Sequence, residues 1–216
     1  MPRAGLSRDA VVRLALEQVD AGGPTGLADL TLAKVAASAG VATPSLYKHV
    51  GSLAALRREV ALVALEELTT TSAAATVGRA GPDALRALAG AWRAYALAHP
   101  GRYAAVQLAP DPDPEAVEDA EHRAAGARVV ALVAAVLRGF GLPDDRTIDA
   151  VRVVRAGVHG FVALELGGGF RLPEDLDRSF DVLVDMLVAG VSALADASSD
   201  APSLTTTSPA PTKEQP

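Results

Sequence analysis

The chain has 216 residues, a formal charge of −6, no cysteine and four histidines; half of it is hydrophobic and only 4% is aromatic. The missing thiols exclude disulfides and thiolate metal sites, and the scattered histidines hold no His-x-x-x-His spacing, so no metal or cofactor is expected. Alanine and valine supply much of the apolar content and no run alternates with a period of two, which predicts an all-α fold packed through small residues.

The opening Met-Pro-Arg-Ala-Gly-Leu lacks the features of a signal peptide. Ser7 is placed to cap a first helix, with Asp9 near its positive end and Val11, Leu14, Ala15 and Val19 as its inward stripe. Gly22-Gly23-Pro24 ends it.

Residues 31–56 read as two short helices joined by a tight turn. Thr31 caps the first, Leu32, Val35 and Ala36 share one face, and Gly40 follows where a positive φ is easiest for glycine. Thr43 is expected to cap the second, with Pro44 in its first turn. Leu46 and Val50 face inward, which leaves Ser45, Tyr47, Lys48 and His49 outside. That surface carries hydroxyls, one amine and one imidazole and no acid, a set suited to phosphates and base edges. Ser52 caps a linking helix expected to run to about Thr70, with Arg57 and Arg58 as solvated side chains.

Residues 70–81 read as a frayed end and a loop. Helices are then expected from Pro82 to about Ala98, over roughly 101–109, from Glu115 to about Gly139, and from Asp144 or Asp145 to the Gly167-Gly168-Gly169 stop. Those glycines are not a phosphate loop, because no Gly-Lys-Ser/Thr follows. The run Val129–Leu137 lies between Arg128 and Arg138 and is far short of the ~20 residues that span a bilayer. The last helix, about Glu174 to Ala195, is apolar around most of its circumference. It therefore needs contacts on two sides. One side is this chain's core; Phe180, Leu183, Val184, Leu187 and Val191 are assigned to pairing with a second copy, together with the helix at 145–166. Residues 197–216, rich in Ser, Thr, Pro and Ala, are expected to form a disordered tail.

The segment from Leu6 to about Leu65 resembles the DNA-binding domain of the tetracycline-repressor (TetR) family. Val35-Ala36, the Gly40-Val41 turn, Ser45-Leu46-Tyr47-Lys48-His49-Val50 and Leu56 carry the resemblance. The family often has a phosphate-touching lysine where this chain has Leu53. His99-Pro100-Gly101-Arg102-Tyr103 and Val158-His159-Gly160 resemble a TetR subgroup in which the second motif is often Trp-His-Gly, Val158 replacing the tryptophan.

The resemblance implies a three-helix helix-turn-helix domain over 1–52, a linking helix over 53–72, a C-terminal helical bundle for ligand sensing and dimerisation over 73–196, and the tail. It implies a homodimeric, cytoplasmic transcriptional repressor on a palindromic double-stranded operator, released by an unknown small molecule, with no membrane contact. DNA contacts are then expected from Arg3, Arg8, Thr31, Thr43, Pro44, Ser45, Tyr47, Lys48 and His49. The charge division agrees: residues 1–60 hold seven basic and five acidic residues, the remainder thirteen and twenty-one.

A ligand pocket is read from two clusters. Trp92, Tyr95 and His99 share one helix face, with Tyr103 close behind, and Arg155 and His159 lie four apart in an otherwise apolar stretch. The plainer alternative makes the aromatics core and pairs Arg155 with Glu165 or Glu118. Two other functions stand against a ligand-released repressor. One is a helical enzyme using Arg155, His159 and Glu165, for which no nucleophile, metal or cofactor motif is present. The other is a constitutive DNA binder whose C-terminal part serves only dimerisation.

Overall fold

A computed structural model describes residues 6–111, 113 and 117–199, without the side chains of 118, 198 and 199. Arg3 and nearly all of the expected tail lie outside these residues. Among the described residues eight α-helices follow one another: α1 (Arg8–Ala21), α2 (Leu32–Ala39), α3 (Leu53–Thr76), α4 (Gly81–Ala98), α5 (Pro100–Val106), α6 (Ala120–Arg138), α7 (Asp144–Leu166) and α8 (Leu176–Ser199). Among the described residues there is no strand, and no helix is long and apolar enough to cross a membrane.

The helix starts follow local chemistry. The hydroxyls of Ser7, Thr31 and Ser52 accept from the backbone N–H groups of Ala10, Lys34 and Ala55 at 3.1, 3.3 and 3.0 Å. Gly40 closes α2 at φ +66 in the left-handed region. The expected second short helix is a single 3₁₀ stretch, Thr43–Lys48, closed by Ser45 N–H to Ala42 O (2.9 Å) and His49 N–H to Leu46 O (2.8 Å). Thr43 is its first residue and its side chain makes no cap. Six residues starting Thr-Pro give too few N–H groups for a regular α-helix, and tighter i→i+3 closure is the alternative.

α3 runs six residues beyond the expected end. The hydroxyls of Thr69, Ser72 and Thr76 donate to carbonyls four residues back, Leu65, Leu68 and Ser72, at 2.7, 2.6 and 3.0 Å. Satisfied inside the helix, they do not compete with it. The predicted loop at 70–81 shrinks to Val77–Ala80. α6 begins at Ala120 rather than Glu115, after a 3₁₀ turn over Val117–Asp119, and α5 ends at Val106.

α3 is the axis. It packs against α6, α4 and α5 and also touches α1; α7 and α8 form a hairpin that leans on α4 and α6. One continuous core results, running from Val11, Val35 and Leu46 through Leu56, Val60 and Leu68 to Leu88, Val133, Val158 and Phe180.

The reader head meets the rest at α5. A Cβ on Gly101 would lie 2.3 Å from the Val19 carbonyl oxygen and 2.8 Å from that of Gly23, so only glycine fits. Next to it, Arg102 Nε donates to Asp20 Oδ1 at 2.9 Å and Nη1 to Glu67 Oε1 at 2.6 Å, tying α5 to α1 and α3. Glu67 also accepts from the Tyr95 hydroxyl at 2.9 Å. Gly101→Ala is expected to destabilise the chain by about 1–3 kcal/mol, since backbone rather than a flexible side chain must move. Urea unfolding measures this; an unchanged midpoint would contradict so close an approach.

Candidate functional site

The reading face is built on two buried residues. Leu46 is fully buried and Val50 nearly so, which fixes the stretch between Gly40 and Ser52 against the core. Tyr47 (55% exposed) and Lys48 point into solvent, as do Pro44 and Thr31; Thr43, Ser45 and His49 are half-exposed. Thr31 uses its oxygen as the α2 cap, which leaves its O–H to donate.

The arginines of the head divide differently from expectation. Arg8 is exposed but ion-paired with Glu59 on α3, and that hydrogen bond raises its pKa further. Arg57 is not solvated: it donates to the carbonyls of Ala28 (2.9 Å) and Leu30 (3.4 Å) and clamps the segment leading into α2. Arg58 pairs with Asp119 at 3.1 Å, a carboxylate only 6% exposed, and so joins α3 to the start of α6.

A cavity of about 370 Å³ lies between α3, α4, α5, α6 and α7, with residues 107–110 along one side. Of the six expected ligand residues, Trp92, Tyr103 and Arg155 line it; Tyr95, His99 and His159 do not. The aromatic row instead follows the α3–α4 seam. Trp92 Nε1 donates to Ser72 Oγ at 2.8 Å, and Tyr95 reaches Glu67, with the His99 ring 5.3 Å away. His159 stands behind the wall, its Nδ1 3.2 Å from the Tyr103 hydroxyl. Burial pushes Tyr103 up to about 12, against the pull of Arg155, and lowers the pKa of His159, with Arg155 adding to that shift.

One of the two expected partners of Arg155 is otherwise engaged. Glu165 is held by Arg93 at 2.7 and 2.8 Å, and Arg93 also meets Asp177 at 2.8 Å and lies over the Phe180 ring. The Glu118 side chain is outside the described residues. Arg155 is exposed rather than buried, and its Nη2 donates to Gln107 Oε1 at 3.1 Å. Arg155, His159 and Glu165 therefore make no joint site for acid–base chemistry.

The sequence reading missed His122, Gln107 and Gly126, all in the cavity wall. His122, Gly126 and Val130 recur every four residues on α6, so helical spacing was the available signal. His122 is 3% exposed and its Nδ1 has no hydrogen-bond partner; burial lowers its pKa, as does Arg58 more weakly, while Asp119 raises it.

Most of the residues expected to pair with a second copy are covered within this chain. Phe180, Val184, Leu187 and Val191 are 4–9% exposed, packed inside this chain, and Leu183 is half-buried near Gly157 of α7. The apolar groups left outside are Val182 (53%) and Met186 (69%) on α8 and Ile148, Val153 and Leu164 on α7.

Comparison with known proteins agrees with this geometry. Residues 85–187 match the model of a tetracyclin repressor-like C-terminal domain. The chain is 37% identical over 190 residues to the uncharacterized HTH-type transcriptional regulator Rv0681 of Mycobacterium tuberculosis, covering 87% of this chain and 83% of that one. It is 31% identical over 191 residues to the uncharacterized HTH-type regulator YobS of Bacillus subtilis, covering 88% and 95%. Among solved structures it resembles a Rhodococcus protein of unknown function (TM-score 0.70, 23% identity, 89% of this chain and 99% of that one). It also resembles a TetR variant of Acinetobacter baumannii in complex with minocycline (TM-score 0.65, 22% identity, 88% and 99%). The chain therefore belongs to the TetR family of DNA-binding helix-turn-helix transcriptional regulators.

Proposed function

We propose that this regulator is a cytoplasmic, homodimeric repressor that leaves a palindromic operator when a small molecule enters the cavity between α3 and α7. The observation that carries the reading is the double use of α5. Gly101 and Arg102 fasten it to the reader head, while Tyr103 and Gln107 on the same short helix and its cap face the cavity. A ligand that prefers one placement of α5 biases the head by its differential affinity for the two placements, and by no more. The minocycline held by the Acinetobacter protein is a precedent in the same fold for occupancy by a small molecule. In the Val158-His159-Gly160 patch, Val158 is fully buried and His159 Nδ1 lies 3.2 Å from the Tyr103 hydroxyl that backs the cavity.

On DNA, Tyr47, Lys48 and Thr43 serve the phosphates, with Thr31, Pro44 and His49 alongside and Arg8 after release from Glu59; Ser45 and Lys48 reach base edges. Two such heads in one dimer would sit about one DNA turn apart, roughly 35 Å. The pairing surface is the outer face of α7 and α8 at Val182, Met186, Ile148 and Val153. No separate enzymatic role is assigned.

Three outcomes are expected. Lys48→Ala lowers operator affinity and reduces the salt slope of binding by about one unit, measured by fluorescence anisotropy across salt concentrations. An unchanged slope would remove Lys48 from the phosphates. Met186→Glu, at a position already exposed in one chain, gives folded monomers by sedimentation, because an unpaired charge buried between copies costs several kcal/mol. A persistent dimer would place the interface elsewhere. Gly126→Leu places an apolar side chain at the cavity wall, where no atom lies within 4 Å of the added Cβ and where glycine is a poor helix former. Compounds that raise the melting temperature of the wild type should fail to do so for this variant; equal stabilisation of both would rule out the cavity.

A further inference from the structure

Several arginines that join helices are paired with acids, and Arg155 is held differently. Arg58, Arg86, Arg93, Arg102 and Arg128 each meet at least one carboxylate: Asp119, Asp185, Glu165 with Asp177, Asp20 with Glu67, and Glu66. Among the described residues Arg155 is bonded to the neutral amide of Gln107 and pairs with no carboxylate. Among the described residues that line the cavity none is Asp or Glu, and Arg155 is one of them. Arg123 contributes to the wall and donates to the Asp113 carbonyl at 3.2 Å.

The amide of Gln107 extends the same chemistry. A guanidinium only donates, so the group facing Arg155 is the amide oxygen, and the amide nitrogen of the same side chain is a further donor. A guanidinium fork beside an amide N–H is suited to a carboxylate, which accepts at both oxygens. The rest of the wall is apolar, with Leu65, Leu68, Val129, Val133 and Val151 around the indole of Trp92. His122 adds no cation, since burial favours its neutral form. Pockets of this composition take ligands with an apolar body and one or two fixed polar groups.

We infer that the effector is a monoanionic amphiphile, an apolar body with a single carboxylate, whose acid group binds Arg155 with Gln107 while its body lies against Trp92, Val133 and Val151. The inference rests on the cavity being the effector site. Its minimum requirements are a negative charge and a long apolar stretch, and a neutral molecule of the same length lacks half of the recognition.

Decanoic acid and decanol provide the probe pair, since they share chain length and differ in charge. Calorimetric titration of the full chain should show decanoate binding about tenfold more tightly than decanol, the scale of one charge-assisted hydrogen-bonded contact at a partly exposed site. Each should perturb the fluorescence of Trp92, the only tryptophan. In Arg155→Gln the two should bind alike, and in Gly126→Leu neither should bind. Equal affinities in the wild type would overturn the anionic class and leave the cavity standing as the effector site. A decanoate preference that survives Arg155→Gln would overturn the anchor. Binding that survives Gly126→Leu would place the ligand elsewhere, and no binding of either compound to the wild type would overturn both the inference and the cavity reading beneath it.

Discussion

The junction at Arg102 is the constraint on which the remainder of the molecule depends. One guanidinium holds a carboxylate at the end of α1 and another in the middle of α3, and Gly101 beside it lets the backbones of α5 and α1 touch. Both carboxylates are partly solvated, at 32% and 36% exposure, so the network gives geometry more than stability. Its consequence is mechanical. The head has few contacts with the sensing helices apart from α3 and this corner, so displacement of α5 has a direct route to α1.

Charge in this chain is largely spent on such joints. Arg57 clamps the lead into α2, Arg58 ties α3 to α6, and Arg93 fastens α7 to α8 through Glu165 and Asp177. The surplus of basic residues in the first sixty therefore overstates the positive charge offered outward. In the proposed reading DNA affinity leans on Lys48 and on hydroxyl donors such as Tyr47 and Thr43, with the acidic remainder of the chain limiting non-specific adhesion.

How far the sequence spoke depended on range. The caps at Ser7, Thr31 and Ser52, the left-handed Gly40 and the inward pair Leu46 and Val50 are decided within four residues, and each formed as read. The length of α3 was underestimated because Thr-rich stretches usually favour turns, whereas here the hydroxyls turn back onto their own helix. On α8, periodicity showed that two sides needed partners but not which side faced inward; Phe180, Val184, Leu187 and Val191 went to this chain's core. The sequence offered Glu165 or Glu118 as the acid for Arg155. Tertiary packing gave Glu165 to Arg93, 72 residues away, and brought Gln107 to Arg155 across the cavity mouth. Such pairings depend on the fold as a whole and leave no local trace.

The central claim is that two copies of this head read one symmetric DNA site. Selection of bound sequences from random duplex DNA by the full chain tests it most directly. The account predicts enrichment of an inverted repeat whose half-sites lie about one helical turn apart. Enrichment of a single asymmetric site, or none above the background of non-specific binding, would contradict it.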